Sequence, residues 1–174
     1  MAISLGLIKE LRSMTAASIA NCKKALEESG GDIQKAVGIL RKRGLEIAAN
    51  KQGRVAKEGR IEVYVHTGNK IGVLLEVNCE TDFVARSKEF AQFTKDLAMQ
   101  ITASSPPYIK REDVPADIIA KEHDKELFYK NNCLLEQPFI KDMAITIKDY
   151  LGTIVAKLNE NIAVRRFIRY RLGE

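Results

Sequence analysis

The sequence lacks tryptophan and has only three cysteines, two histidines and four prolines among its 174 residues. Cys22, Cys79 and Cys133 are odd in number and far apart, which argues against a disulfide framework and against a zinc site with paired ligands. No apolar run approaches the roughly 20 residues needed to span a bilayer, and no signal or transit peptide is visible. We therefore expect a reducing interior compartment, no metal and no membrane partner.

The motifs of common catalytic and nucleotide-binding sites are also absent. No glycine-rich Walker segment and no Gly-x-Gly-x-x-Gly behind a strand occurs, so nothing predicts a phosphate cradle. His66 and His123 fall on polar faces of predicted elements and are interpreted as surface residues. Cys79 stands near a predicted helix start, where a thiol pKa can be lowered, but no partner base is evident. We expect no catalytic residues and no cofactor.

The charge is mildly positive, with a formal net charge of +5 at pH 7. Such a balance permits contact with nucleic acid, but it equally suits docking on an acidic protein surface. Aromatic residues make up 6% of the chain and are not interleaved with the basic residues, so stacking on single strands is poorly supported. Charge alone leaves the class of partner open.

Residues 1–44 are predicted to form three short helices. Apolar residues recur there at helical spacing, and Thr15 or Ser18 can cap the second helix. Residues 29–32, with the sequence SGGD, supply a stop for the second helix and a cap for the third. Basic side chains on the opposite faces indicate either a solvated face or a docking surface: Lys9, Arg12, Lys23, Lys24, Arg41, Lys42 and Arg43.

Residues 45–58 are interpreted as a connector, and 59–174 as an α+β domain. Alternating apolar residues predict two antiparallel strands over 61–65 and 71–77, joined by the turn 67–70. One face of this hairpin is expected to be packed and the other open. A third strand is expected to join the hairpin, with Ile162, Val164, Ile168, Tyr170 and Leu172 on one face, Arg165, Phe167, Arg169 and Arg171 on the other, and Arg166 as an exception on the apolar face.

Helices are predicted between the second and third strands. One begins behind Thr81-Asp82 and ends at the prolines of 104–107. A short helix is predicted over 115–125, the stretch 126–138 is ambiguous, and the spacing from Ile140 to Leu158 predicts the longest helix. The fold class is therefore α+β: a three-helix module followed by a core of a small three-stranded antiparallel sheet packed with helices.

The segment 76–86, with the sequence EVNCETDFVAR, organises the prediction because a strand ends there and a helix begins. Thr81 or Asp82 can cap that helix. Phe83 is then either the first core contact of the helix or a side chain directed outward. Large apolar residues are mostly buried, so the residues alone favour the core contact and leave the other interpretation open.

Several segments together resemble the elongation factor Ts family. They are 11–15 (LRSMT), 22–26 (CKKAL), 76–86 (EVNCETDFVAR), 135–139 (LEQPF) and 160–167 (ENIAVRRF). The resemblance covers nearly the whole chain, and the segment 76–86 is highly specific. One departure is Ala16, where the family usually has glycine.

The resemblance implies a guanine-nucleotide exchange factor that binds elongation factor Tu in its GDP-bound and nucleotide-free forms, and that is not an enzyme. It implies that 1–44 is a ubiquitin-associated-like (UBA-like) module that docks on the GTPase domain of the partner. Arg12, Lys23 and Lys24 would belong to the docking helix pair.

The resemblance also implies that Thr81, Asp82, Phe83 and Val84 enter the partner near its nucleotide-bound magnesium. Phe83 would wedge between helices of the partner, and Asp82 would help to displace the groups that hold magnesium and phosphate. This role requires Phe83 to point outward. No direct nucleic-acid contact is expected.

The length of 174 residues leaves room for one core, which resembles the short form of the family and implies a homodimer formed through the sheets, with 59–174 as the dimerisation domain. The two Cys79 residues would then lie close to each other across that interface, which suggests the hypothesis of a disulfide between them. The expected location is the bacterial cytoplasm, or an organelle stroma or matrix. The alternatives are a small RNA- or ribosome-binding protein, suggested by Arg165, Arg166, Arg169 and Arg171, and a thiol enzyme built on Cys79.

Overall fold

The computed structural model describes residues 3–15 and 17–174, and Ala16 therefore lies outside the described residues. The chain begins with three helices: α1 (Leu5–Thr15), α2 (Ile19–Glu28) and α3 (Ile33–Lys51). Of the two predicted caps it is Ser18 that begins α2, because its hydroxyl oxygen accepts the Asn21 N–H at 3.2 Å. Leu11, Cys22 and Leu26 are fully buried between these helices and form a small separate core.

The rest of the chain is a mixed domain of strands and helices, which confirms the predicted α+β class. Its elements are β1 (Glu58–Val65), β2 (Ile71–Cys79), α4 (Asp82–Ala85), α5 (Lys88–Ser104), α6 (Ala116–Ile119), α7 (Lys125–Asn132), β3 (Pro138–Phe139), β4 (Asp142–Thr146), α8 (Ile147–Leu158) and β5 (Ala163–Arg171). The main sheet is antiparallel with the strand order β1-β2-β5. Its inner face packs on α5, and α8 contacts α5 within the same hydrophobic core. The strand β3 pairs separately with β4.

The hairpin and its turn are confirmed. Gly68 and Asn69 have φ angles of 90° and 55°, which are the positive values that a tight hairpin turn requires. Val73, Leu75 and Val77 of β2 are buried in the core. Residue pairing ends at Cys79, where β2 leads directly into Thr81 and α4.

The predicted helix over 140–158 is wrong in its first part. Ile140 lies in the turn between β3 and β4 and is 39% exposed, and Met143 lies in β4 and is 71% exposed. A capping box begins α8 only at Ile147: the Asp149 N–H donates to Thr146 Oγ1 at 3.1 Å, and the Thr146 N–H donates to Asp149 Oδ2 at 3.0 Å. The helix-like spacing of apolar residues extends by coincidence into β4, and the capping box determines where the helix starts.

Two further helices differ from their predicted bounds. The helix predicted over 115–125 ends at Ile119, and Asp124 begins α7 by accepting the Leu127 N–H at 2.9 Å. The helix predicted from Thr81-Asp82 is interrupted after α4, because Ser87 adopts an extended conformation and caps α5. A serine can cap a helix wherever its backbone leaves the helical region, so these interruptions arise from single polar side chains.

The outer face of the sheet is apolar, because the register of β1 and β2 separates their apolar residues. Ile61, Val63 and Val65 are 61%, 64% and 56% exposed, whereas Tyr64 and Glu62 lie on the inner face opposite Val73 and Leu75. The open face of the hairpin therefore carries the apolar side chains of β1, and its packed face carries Glu62 and Tyr64.

The predicted faces of the third strand are wrong, and an irregularity in the pairing is the reason. Glu76 pairs with Arg166 but Val77 pairs with Val164, so Arg165 is an extra residue in β5. A β-bulge of this kind exchanges the faces of the residues on its two sides. As a result the predicted apolar face is divided: Ile162 is buried and Val164 packs on the core, whereas Ile168 and Tyr170 are exposed together with Arg166 on the outer face.

The helix α3 continues through the predicted connector as far as Lys51 and packs along α8. The two helices approach closely at Gly44 and Gly152, where a Cβ added to Gly44 would lie 3.2 Å from the Gly152 carbonyl. Lys51 is 7% exposed, and its Nζ donates to the Asn159 carbonyl at 2.8 Å. In the described ranges 3–15 and 17–174, no helix is long and apolar enough to cross a membrane.

Candidate functional site

The segment 81–84 forms an exposed tip at the junction of β2 and α4. Thr81 caps α4, since its Oγ1 accepts the Val84 N–H at 3.3 Å. Phe83 is 82% exposed, the largest exposed fraction among the large apolar side chains of the described residues, while Val84 is 6% exposed and belongs to the main core. The outward direction of Phe83, which the resemblance required, is the one that the structure has.

The tip is held from behind by the carboxylate of Glu160, which lies between α8 and β5. Glu160 Oε2 accepts the N–H groups of Glu80 and Thr81, each at 3.0 Å. Glu160 Oε1 accepts the Thr81 hydroxyl at 2.6 Å. Because hydrogen bonds to an ionised group are stronger than neutral ones, this one side chain fixes both the backbone and the cap at the start of α4.

Asp82 lies beside Phe83 and is available at the surface. Its carboxylate is 3.1 Å from the guanidinium of Arg86, and the two side chains are 60% and 81% exposed. An exposed pair of this kind contributes little stability, so a stronger cation or donor can replace Arg86 at low cost. Asp82, Phe83, Arg86 and Ser87 line a shallow depression of about 350 Å³.

Cys79 lies beneath the tip and is not a reactive thiol. It is fully buried, and its Sγ donates to the Thr81 carbonyl at 3.1 Å. Burial, together with the nearby Glu160 carboxylate, raises the pKa of the Cys79 thiol to about 11. The thiolate that a nucleophile requires is therefore disfavoured, and the inward direction of Cys79 on β2 also opposes a disulfide across the outer face of the sheet.

The three predicted docking residues of the N-terminal module are exposed. Arg12 lies on α1, and Lys23 and Lys24 lie on α2. Met14 and Ile19, near them in the chain, are 54% and 58% exposed. A surface that exposes apolar side chains as well as cations is suited to docking on another protein.

The described residues contain no catalytic arrangement around the histidines. His66 and His123 are exposed, as predicted, and Tyr64 contacts His66 through its hydroxyl at 3.3 Å. A second cleft of about 410 Å³ lies between α7 and β4. Arg111 lines this cleft, and its guanidinium donates to the carboxylates of Glu126 and Glu136, so it is already paired within the chain.

The arginines of β5 do not form one continuous basic face. Arg166, on the outer face, donates to Glu76 at 2.7 Å. Arg169 and Arg171 lie on the other side of the strand and both pair with Glu174, at 3.3 and 3.5 Å. Pairing with acidic side chains reduces the positive potential that phosphate binding would need.

Sequence reasoning missed the role of Glu160, which belonged to a segment noted only for its resemblance. One signal exists in the sequence: Glu160 stands directly between a helix end and a strand, where an acidic side chain can meet N–H groups at the end of the neighbouring strand. Which strand end it meets depends on a pairing between residues about 80 positions apart, and no local pattern reports such a pairing.

Comparison with known proteins gives one consistent result. A family model described as "Elongation factor TS" matches residues 6–127. The chain is 49% identical over 195 residues to elongation factor Ts of Carboxydothermus hydrogenoformans, a match that covers 99% of this chain and 90% of that one. It is 50% identical over 196 residues to elongation factor Ts of Thermodesulfovibrio yellowstonii, with coverage of 100% and 98%, and 46% identical over 199 residues to that of Geobacter metallireducens, with coverage of 100% and 91%.

Proposed function

The chain belongs to the elongation factor Ts family of translation elongation factors, and from this premise we propose that it binds elongation factor Tu and accelerates the release of its GDP. The observation that carries the proposal is the tip, where Phe83 is 82% exposed on a helix whose start is fixed by Glu160. A large aromatic side chain held outward in a fixed direction is the residue type that dominates binding energy at protein interfaces.

In the proposed mechanism, Phe83 enters between helices of the partner, and Asp82 competes for the groups that hold magnesium and phosphate. Magnesium is the largest local positive charge beside the phosphates, so its loss weakens the hold on the nucleotide. Asp82 can leave Arg86 without a large penalty because their pair is exposed. Thr81 supports the tip as its cap, and Val84 supports it from the core. No covalent bond is formed or broken.

Nucleotide release follows from thermodynamic linkage. If this chain and GDP bind the same partner and oppose each other, each weakens the binding of the other by the same factor. The nucleotide-free complex is then an intermediate, and GTP binding reverses the process. The chain therefore binds both the GDP-bound and the nucleotide-free partner, and it needs no cofactor.

The N-terminal module is proposed as a second contact with the partner. Arg12, Lys23 and Lys24 are exposed, and the neighbouring apolar side chains Met14 and Ile19 offer area that can be buried. Because α3 packs along α8, the module and the tip belong to connected parts of the structure. Contacts at two places increase affinity when both can be made at once.

A homodimer is proposed through the outer face of the sheet. Six large apolar side chains of its strands are at least 44% exposed: Ile61, Val63, Val65, Leu74, Ile168 and Tyr170. A patch of this kind marks an interaction site. Glu76 and Arg166 lie on the same face and carry opposite charges, so two copies related by a twofold axis can present each carboxylate to a guanidinium of the other, and we propose a second copy as the occupant.

The alternative of an RNA- or ribosome-binding protein has less support, because Arg166, Arg169 and Arg171 are paired with acidic side chains and lie on two sides of β5. The experiment that separates the functions is the release rate of labelled GDP from elongation factor Tu with and without this chain. We expect strong acceleration. An unchanged rate, with RNA affinity that decreases steeply with salt, would instead support the alternative. The cytoplasmic location stays a prediction.

A further inference from the structure

The direction of Phe83 cannot be set by α4 itself, which has four residues. Isolated helices shorter than about 12 residues are marginal in water, because the first turn fixes several dihedral angles for one hydrogen bond. The orientation of the tip must therefore come from contacts outside the helix. Val84 and Ala85 supply apolar contacts, since both are buried in the main core. The polar contacts converge on the segment 159–161, which connects α8 with β5 and is called the junction below.

The junction and the start of the tip bind each other reciprocally. Glu160 accepts the N–H groups of Glu80 and Thr81 at 3.0 Å, and Glu80 Oε1 in turn accepts the Asn161 N–H at 2.6 Å. Each segment thus offers a carboxylate to the backbone of the other. Arg54 lies 3.7 Å from the same Glu80 oxygen and adds a positive charge.

The other side of the junction holds the end of α3. The side-chain amide of Asn161 donates to the Arg54 carbonyl at 2.7 Å, and Lys51 Nζ donates to the Asn159 carbonyl at 2.8 Å. Asn161 and Lys51 are each 7% exposed, so these bonds are shielded from water and hold more firmly than surface contacts. The helix held here is the one that begins in the N-terminal module.

We propose that Glu160 is a positioning residue of nucleotide exchange, which holds the tip in a fixed direction relative to the N-terminal module so that both meet the partner in one encounter. The inference rests on the proposed exchange function. Glu160 does not need to contact the partner. It acts through Thr81, whose hydroxyl donates its one hydrogen bond to Glu160. A lone pair of the same oxygen then remains to accept the Val84 N–H.

A fixed tip acts on one step of the exchange in particular. A chain with a mobile tip still docks first through its N-terminal module, and the concentration for half-saturation changes little where it is set by that first step. The tip must then be ordered before it can disturb the nucleotide site, and that entropic cost is added to the barrier of GDP release. Loss of Glu160 should therefore lower the maximal rate more than the apparent affinity.

The test compares Glu160→Gln with the unmodified chain. Glutamine has the same shape but offers one acceptor oxygen where the carboxylate offers two, and it carries no charge. We expect the maximal rate of GDP release to fall about tenfold, which corresponds to a loss of about 1.4 kcal/mol, with half-saturation unchanged within about twofold. Amide hydrogen exchange at Glu80, Thr81 and Val84 should become faster, while the core amides of α5 stay protected.

The matched control is Glu126→Gln, which also removes a carboxylate bound to other groups, here Arg111 on the exposed side of α7. It should change neither rate nor exchange at the tip. If Glu160→Gln does not fold, Glu160→Asp serves instead, because it keeps the charge but shortens the side chain by one methylene. We expect the same lower maximal rate and the same faster amide exchange at the tip.

The outcomes separate the inference from the function on which it rests. An unmodified chain that does not release GDP overturns both. Release by the unmodified chain with an equal maximal rate for the Glu160 variant overturns the positioning role alone. A lower maximal rate without faster amide exchange at the tip also overturns it, because Glu160 would then act by direct contact.

Discussion

Phe83 and Val84 are neighbours in the chain but lie on opposite sides of the tip, with exposed fractions of 82% and 6%. Successive residues of a helix are about 100° apart around its axis, so a four-residue helix lying on the surface can direct one side chain outward and bury the next. The outward side chain is free to bind a partner, and the buried one ties the tip to the core. These two positions can therefore be tested separately.

Phe83→Ala should leave the fold intact and slow the exchange. The ring makes few contacts within this chain, so the free energy of unfolding should change by less than about 0.5 kcal/mol. Truncation of a central aromatic residue costs about 2–4 kcal/mol of binding energy, so the second-order rate constant of GDP release should fall by about thirtyfold or more. Stopped-flow release of a fluorescent GDP analogue measures this, and an unaltered rate constant would exclude the proposed wedge.

Val84→Ala should show the opposite behaviour. It removes two buried carbon atoms beneath α4, and we expect a loss of about 1–3 kcal/mol in the free energy of unfolding. Chemical denaturation measures this loss. At a temperature where the variant is folded, its rate of GDP release should stay much closer to that of the unmodified chain than the rate of Phe83→Ala, and a reversed order of the two would contradict the assignment of core and contact.

Gly44→Ala should destabilise the packing of α3 on α8. The added Cβ would lie 3.2 Å from both the carbonyl carbon and the oxygen of Gly152, and a helix backbone cannot move aside as a side chain can. We expect a loss of about 1–3 kcal/mol. Gly38→Ala on the same helix is the control: its Cβ would meet nothing within 4 Å, so it should stabilise by about 0.5–1 kcal/mol. Equal effects at both positions in thermal denaturation would contradict close packing at Gly44.

Leu74→Glu should convert the proposed homodimer into a monomer. Leu74 lies on the central strand of the outer face and is 45% exposed, and a carboxylate there would be buried without a partner across the interface. Light scattering should show the mass of the variant falling by half. Leu127→Glu, at a 53% exposed residue of α7, should leave the mass unchanged. An unmodified chain that is monomeric and still supports full exchange would contradict the dimer.

Cys79 should make the protein less stable at high pH. Burial raises the pKa of its thiol from 9.0 to about 11, so the folded chain keeps a proton that the unfolded chain loses. The stability that the protonated Cys79 thiol contributes is therefore fully present below about pH 9 and is lost as the pH rises from about 9 to 11. The free energy of unfolding should fall more steeply over this interval in the unmodified chain than in Cys79→Ala. Parallel curves would show that the thiol titrates equally in both states.

The sequence determined the elements whose signals are local. Alternation over 71–77 predicted β2, and the turn at Gly68 and Asn69 was confirmed, because period and turn conformation depend on residues close to one another. The family segments also depend only on order along the chain, and the comparisons confirmed the resemblance. The predicted start of α8 was wrong because Ile140 and Met143 are spaced as in a helix. The capping box of Thr146 and Asp149 is a local sequence signal for the true start.

Only the tertiary structure decided which way the side chains point. The bulge at Arg165 exchanges the faces within β5, and the register of β1 turns Ile61 and Val63 away from the core. The tip is held by the burial of Val84 in the core and by Glu160, which binds Thr81 across 79 positions of chain. Composition and periodicity indicate which residues can be buried. The side that they face depends on strand register and on contacts between distant segments, and these exist only once the chain has folded.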